Sequence, residues 1–126
     1  MEIWIFIHKG KEKEMNKIHT IYSITEHGKV VYIGMTSQNP PTQRWSNHKN
    51  RARTLEYARP LHCAMNEISS DHNNFSEYRF SILHTTTDAS AAAALEIAEI
   101  HAHNTVKNGY NRYVGGVETI KKHSKL

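Results

Sequence analysis

Hydrophobic and polar positions change period several times along the chain. Met1 to His8 is rich in Ile, Trp and Phe and predicts a strand, because these types suit a pleated, half-buried surface. Lys9 to Asn16 is polar and loop-like, with Met15 inside it as an alternative start. Ile18 to Thr25 and Lys29 to Gly34 read as two strands of a hairpin. Glu26-His27-Gly28 supplies the turn, with Gly28 free to take φ > 0. Ser37-Gln38-Asn39 leads into Pro40-Pro41, and a helix is expected from about Pro41 to Tyr57, capped by Ser37 or Asn39. A second helix begins near Pro60, with Leu61, Ala64, Met65 and Ile68 at i, i+3, i+4 and i+7. Asp71 to Asn74 is a loop. Glu77 to Thr85 alternates Tyr78, Phe80 and Ile82 inward with Arg79 and Ser81 outward, a strand pattern. Asp88 caps a third helix over about Ala89 to His103, with Leu95, Ala98 and Ala102 as its apolar stripe. Asn108-Gly109 and Gly115-Gly116 bracket a tail of turns and a short strand. The order β-β-β-α-α-β-α predicts an α+β fold: a small, mainly antiparallel sheet of three or four strands flanked by three helices.

Composition narrows this picture. The 126 residues form one domain, with 16 Lys+Arg against 12 Asp+Glu, a net charge of +4 and a pI near 9.2. Ile3 to Ile7 is the longest apolar run near the start, far short of the roughly 20 residues of a membrane span or the about 7–15 of a signal segment. The single Cys63 excludes a disulfide framework and a multi-cysteine zinc site, and suits a reducing, cytoplasmic compartment. It sits at an apolar helical position, which predicts a buried thiol rather than a nucleophile. Net charge says little about partners, but its placement says more. Arg44, His48, Lys49, Arg51, Arg53 and Arg59 face one acid, Glu56, a density that points to a polyanion contact.

Four groups of residues can carry chemistry. Tyr22 and Tyr32 lie on adjacent hairpin strands, where their hydroxyls can reach one pocket or simply fill a core. Gly34 allows close backbone approach at the end of its strand. Arg44 and His48 are i and i+4 on one helical face, and arginine is the side chain best shaped for a phosphate. Glu96 lies beside Glu99 and His103, where a carboxylate can hold a divalent cation or merely face solvent. Asn108-Gly109-Tyr110-Asn111 is a turn in its own right. A zinc site from Glu99, His101 and His103 is disfavoured, since helical residues two apart diverge by about 200°. Trp45 and Tyr57 can stack on bases, but core or rim packing is the expectation.

Taken together, Ile21-Tyr22, Tyr32-Ile33-Gly34, Arg44, His48, Glu96 and Asn108-Gly109-Tyr110-Asn111 resemble the GIY-YIG nuclease family, which includes intron-encoded homing endonucleases and the incision domain of bacterial excision repair. The resemblance runs from about residue 18 to 116 and leaves residues 1–17 as an N-terminal extension. Leu61-His62-Cys63-Ala64-Met65 is similar to the family's second-helix pattern. Glu96 precedes Gly109 by 109 − 96 = 13 residues, the spacing of the homing-enzyme branch, with Glu99 as the rival. Thr20 replaces the first glycine of the first motif, Met35 follows Gly34 where some branches carry lysine, and the loop from Gly34 to Arg44 is longer than usual.

The resemblance implies a GIY-YIG fold with an extra N-terminal strand and a metal-dependent endonuclease acting on DNA, with RNA as the alternative. It implies Glu96 as sole protein ligand of one Mg²⁺ or Mn²⁺, Arg44 on the scissile phosphate, Tyr22 or Tyr32 as base for the attacking water, and His48 orienting that water or exchanging its proton. Gly34, Lys49, Arg51, Arg53 and Asn111 are the expected substrate contacts. The chain carries no separate DNA-binding module, so specificity would come from these basic residues, from a homodimer or from a partner protein. A phage or mobile-element role fits this pattern, as does restriction or repair. An inactive nucleic-acid-binding or protein-interaction module on the same scaffold is the competing class.

Overall fold

The computed structural model describes residues 17–112. The expected strand Met1 to His8, the loop after it and the turns around Gly115-Gly116 lie outside the described residues. Three strands form one antiparallel sheet: β1 (His19–Glu26), β2 (Lys29–Thr36) and β3 (Tyr78–Thr86), in the order β2-β1-β3. Helix α1 (Thr42–Thr54) and α2 (Pro60–Ile68) separate β2 from β3, and α3 (Ala89–His103) with the single turn α4 (Thr105–Asn108) follows β3. The α+β architecture is as expected, with three strands among the described residues.

The hairpin forms because His27 (φ 49°) and Gly28 (φ 84°) both take left-handed backbone, the twist that matches two-residue turns between paired strands. Central β1 is buried from Thr20 through Ile24, since helices cover both faces of the sheet. On one face Tyr22, Ile24 and Tyr78 pack with Ala52 of α1 and Leu61 and Met65 of α2, and Phe75 from the preceding loop closes the cluster. On the other, Ile21 and Ile33 meet Ala92, Leu95 and Ile100 of α3.

Several local expectations change. Helix α1 stops at Thr54 rather than Tyr57, because Leu55 turns left-handed (φ 62°) and its N–H caps the Arg51 carbonyl. Neither Ser37 nor Asn39 caps its start; Pro41 occupies that position without a side-chain bond. Ile82 is 51% exposed although it alternates with buried residues. The β1–β3 register skips from Ile21↔His84 to Tyr22↔Ile82, and this bulge turns Leu83 toward α3. In α3 the buried positions are Ala92 and Ile100, with Leu95 partly covered, whereas Ala98 and Ala102 face outward. Asp88 caps α3 as expected, accepting from the N–H groups of Ser90 and Ala91. Cys63 is exposed, because His62 takes the inward position beside it.

The segment after α3 is tied back onto the sheet. Gly109 lies so close to β2 that a Cβ there would strike the Val31 carbonyl, and Tyr110 N–H donates to that carbonyl at 2.7 Å. Asn111 continues the seam, its Oδ1 accepting from Ile33 N–H at 2.8 Å and its Nδ2 donating to Ile33 C=O at 2.9 Å. The Tyr78 and Tyr110 hydroxyls both donate to Glu26 Oε1, at 2.7 and 2.8 Å. That carboxylate joins the end of β1, the start of β3 and the closing segment. Burial and the Glu26 charge raise both phenols, Tyr110 to about 12. Glu26→Ala leaves two partly buried hydroxyls without their acceptor and is expected to destabilise the fold by roughly 2 kcal/mol; an unchanged urea midpoint would show that the clamp contributes nothing.

Candidate active site

The site begins with a tyrosine over a glycine. Tyr22 of β1 is the cross-strand partner of Gly34 in β2, and its ring lies where a side chain at 34 would stand. A Cβ on Gly34 would collide with the Tyr22 hydroxyl and the ring carbon that bears it. The glycine is thus required by side-chain volume. Gly34 itself is buried beneath Tyr22. Tyr32, one strand position pair away, brings its ring centroid within 6.3 Å of Tyr22. Phe80 of β3 supports Tyr22 at 4.8 Å and stacks on Trp45 of α1 at 6.0 Å.

Helix α1 contributes the next layer. It is polar on nearly every side and buries only His48 and Ala52. His48 Nε2 lies 2.7 Å from the Tyr22 hydroxyl, and its ring meets Tyr32 edge-on at 5.6 Å. The histidine is 1% exposed, so it touches Tyr22 rather than solvent. One turn earlier on the same face, Arg44 bears on the Tyr22 hydroxyl and pulls both phenols downward. Burial works the other way and is the largest influence on each; both are raised above the ordinary tyrosine value.

The Glu96 side chain comes from α3, on the opposite face of the sheet. Even so, its negative charge pushes both Tyr22 and Tyr32 upward, so the carboxylate is within electrostatic reach of the pair. Glu99 is committed elsewhere. Its two oxygens lie 2.7 Å from His84 Nε2 and 3.3 Å from His103 Nε2. Among the described residues no group of three or more His, Cys, Asp or Glu is arranged to hold a metal ion. A cation here would therefore rely on the half-buried Glu96 carboxylate, a hard oxygen donor of the kind Mg²⁺ accepts while keeping several waters.

The basic stretch divides by task. Arg53 is exposed and engaged structurally: Nε donates to the His72 carbonyl at 2.7 Å, one terminal nitrogen to the Asn73 carbonyl at 3.2 Å, and the guanidinium covers the Phe75 ring. Asn111 is hydrogen-bonded to the Ile33 backbone and holds β2. Lys49 extends over the Trp45 ring at 5.5 Å, and Arg51 is half-buried with its charge felt by His48. Tyr57 was expected to pack at a rim, yet it is 86% exposed on left-handed backbone (φ 53°). Two residues escaped the sequence reading. Arg59 places a positive charge near Tyr32, His48 and His62, and His62 hydrogen-bonds His48. Arg59 belonged to the basic run, and the Arg-Pro start of α2 was the available signal for it; His62 was hidden in an apparent apolar stripe.

The GIY-YIG catalytic domain family model matches residues 18–111. The chain belongs to that family, and the class of protein defined here is a nuclease domain. Among curated proteins and among solved structures nothing matches significantly. Among the described residues no helix is long and apolar enough to cross a membrane.

The histidine pair makes the fold acid-sensitive. Burial, and then the surrounding guanidinium charges, lower His48 to about 2 and His62 to about 4. An unfolded histidine titrates near 6.5, so below that pH the unfolded chain binds more protons than the folded one. The stability these neutral rings confer is present above about pH 6.5 and is lost as pH falls toward 4. Stability measured by urea unfolding is expected to hold nearly level from pH 7.5 to 6.5 and then to weaken toward pH 4.5 by up to about 1 kcal/mol per pH unit for each ring, less steeply in His62→Gln; a flat profile would contradict neutral buried rings.

Proposed function

We propose that this protein is an endonuclease that hydrolyses phosphodiester bonds in DNA by in-line attack of water, with one divalent cation, Mg²⁺ or Mn²⁺. What carries the reading is convergence. Two phenols, a guanidinium and a carboxylate from β1, β2, α1 and α3 bear on one another's charge, in a family of nucleases.

Phosphodiester hydrolysis is slow because an anion must accept further negative charge at phosphorus, and preorganised positive charge is the main remedy. Arg44 is that charge. It is held near the phenols by its place one helical turn from His48, and it contacts the phosphate oxygens that gain charge as the fifth bond forms. Tyr22 or Tyr32 positions the attacking water and accepts its proton, which requires that this phenol first be deprotonated. Arg44 favours that loss while burial and Glu96 oppose it. Glu96 would hold a divalent cation, which when bound would supply Lewis acidity at the scissile phosphate and offset the carboxylate charge that adds to burial in raising the phenols. His48 acts through Tyr22, by its hydrogen bond to that hydroxyl. Lys49, Arg51 and Arg59 provide the surrounding positive field for the polyanion, and binding weakens with salt as counterions are released. Specificity comes from these residues, a homodimer or a partner protein.

The reading is tested by plasmid nicking with Mg²⁺, with Mn²⁺ and with EDTA. Glu96→Gln is expected to fold normally and to lose metal-dependent cleavage; nicking at the wild-type rate would reject Glu96. Arg44→Ala is expected to slow cleavage by about 10²-fold or more, as for one lost transition-state contact. Absence of cleavage by wild-type protein under every condition would favour the inactive binding module.

A further inference from the structure

The network that holds Tyr22 continues past His48. His48 Nδ1 lies 2.8 Å from His62 Nε2, and His62 Nδ1 lies 2.9 Å from the backbone nitrogen of Arg59. The last contact orders the others. A backbone amide only donates, so His62 Nδ1 accepts and carries no proton. A neutral imidazole has one N–H, which in His62 is then on Nε2 and donates to His48 Nδ1. His48 in turn carries its hydrogen on Nε2, where its partner is the Tyr22 oxygen at 2.7 Å.

We propose that His62 is a positioning residue that fixes His48 as the Nε2–H tautomer, so that Tyr22 receives a hydrogen bond from His48 instead of giving one. The direction is set by a helix cap. Arg59 precedes the first turn of α2, and His62 stands at the third helical position, where a side chain can reach back to the capping residue's N–H. A glutamate or glutamine usually makes that contact. Here an imidazole makes it, and its second nitrogen relays the polarity to the next ring. Both rings are buried at 1% exposure, out of reach of water that could scramble the order. Both are also held neutral, by burial and by the positive charges of Arg44, Arg51 and Arg59 around them.

Two consequences follow for Tyr22. Its oxygen is stabilised as it gains negative charge, because an N–H already points at it. Its own hydrogen is directed away from His48, toward Tyr32 and the cleft. His48 therefore cannot take the Tyr22 proton while His62 stays bound to the Arg59 amide. That catalytic consequence rests on the nuclease reading above, whereas the tautomer order does not.

The test separates the two. Two-bond ¹H–¹⁵N correlation of the histidine rings in the full, metal-free chain at pH 7.5 reports the tautomer directly. Protonated Nε2 and bare Nδ1 are expected for both His48 and His62. His62→Leu removes the donor to His48 and is expected to leave His48 with Nδ1–H or a mixture of tautomers. It should also lower kcat for plasmid nicking by roughly tenfold, the effect of one lost hydrogen bond, with KM unchanged. His62→Gln, whose amide can accept from Arg59 and donate to His48, is expected to retain the Nε2–H form and most of kcat. His48 protonated on Nδ1 or on both nitrogens in the wild type overturns the proposal, as does a His48 signal identical in wild type and a folded His62→Leu. Should His62→Leu fail to fold, the wild-type and His62→Gln spectra decide. If wild-type protein cleaves nothing, the nuclease reading fails while the tautomer result stands.

Discussion

The structure turns on one steric relation, a phenol ring occupying the space that a side chain at Gly34 would fill. Because Tyr22 can lie there, its hydroxyl meets His48 of α1, and the helix is fixed over the hairpin by a buried polar contact. Arg44 follows from that placement, since it projects from the same helical face one turn earlier. So does α2, whose His62 completes the hydrogen bonding of His48. Each buried ring nitrogen thus has a partner, which buried polar groups require.

The electrostatic character of the site follows from what is neutral as much as from what is charged. Two phenols and two imidazoles, all uncharged at neutral pH, sit among Arg44, Arg51 and Arg59. Burial pushes the imidazoles down, with positive charge adding to it, and burial pushes the phenols up. Glu96 supplies the opposing negative charge from across the sheet. Neutral rings are thus enclosed by guanidinium charge on one side and a single carboxylate charge on the other.

The closing segment shows a motif with a structural task in the fold. Asn108-Gly109-Tyr110-Asn111 stands out as a turn with polar groups near the candidate site. In the fold it is a seam: Gly109 admits the β2 backbone, and Asn111 pairs both polar atoms with Ile33 as a further strand would. Arg53 is a similar case, a cation at the right place in the sequence that is consumed by two carbonyls and an aromatic ring.

Local order was legible in the chain. The hairpin around Gly28, the Asp88 cap and the extent of α3 rest on short-range chemistry that neighbouring residues dictate. Helix and strand periods put the tyrosine pair and the Arg44–His48 turn on shared faces, and the resemblance to the nuclease family, with the spacing to Gly109, singled out Glu96. The bulge at Leu83, the inward turn of His62 and the engagement of Glu99 by His84 and His103 came from tertiary contacts alone. Each depends on a partner brought in from a distant segment, and periodicity within one element carries no information about which partner that will be. Residue order made certain groups available on certain faces; contact across the fold decided which of them meet one another and which tie the chain together, because partners come from distant segments.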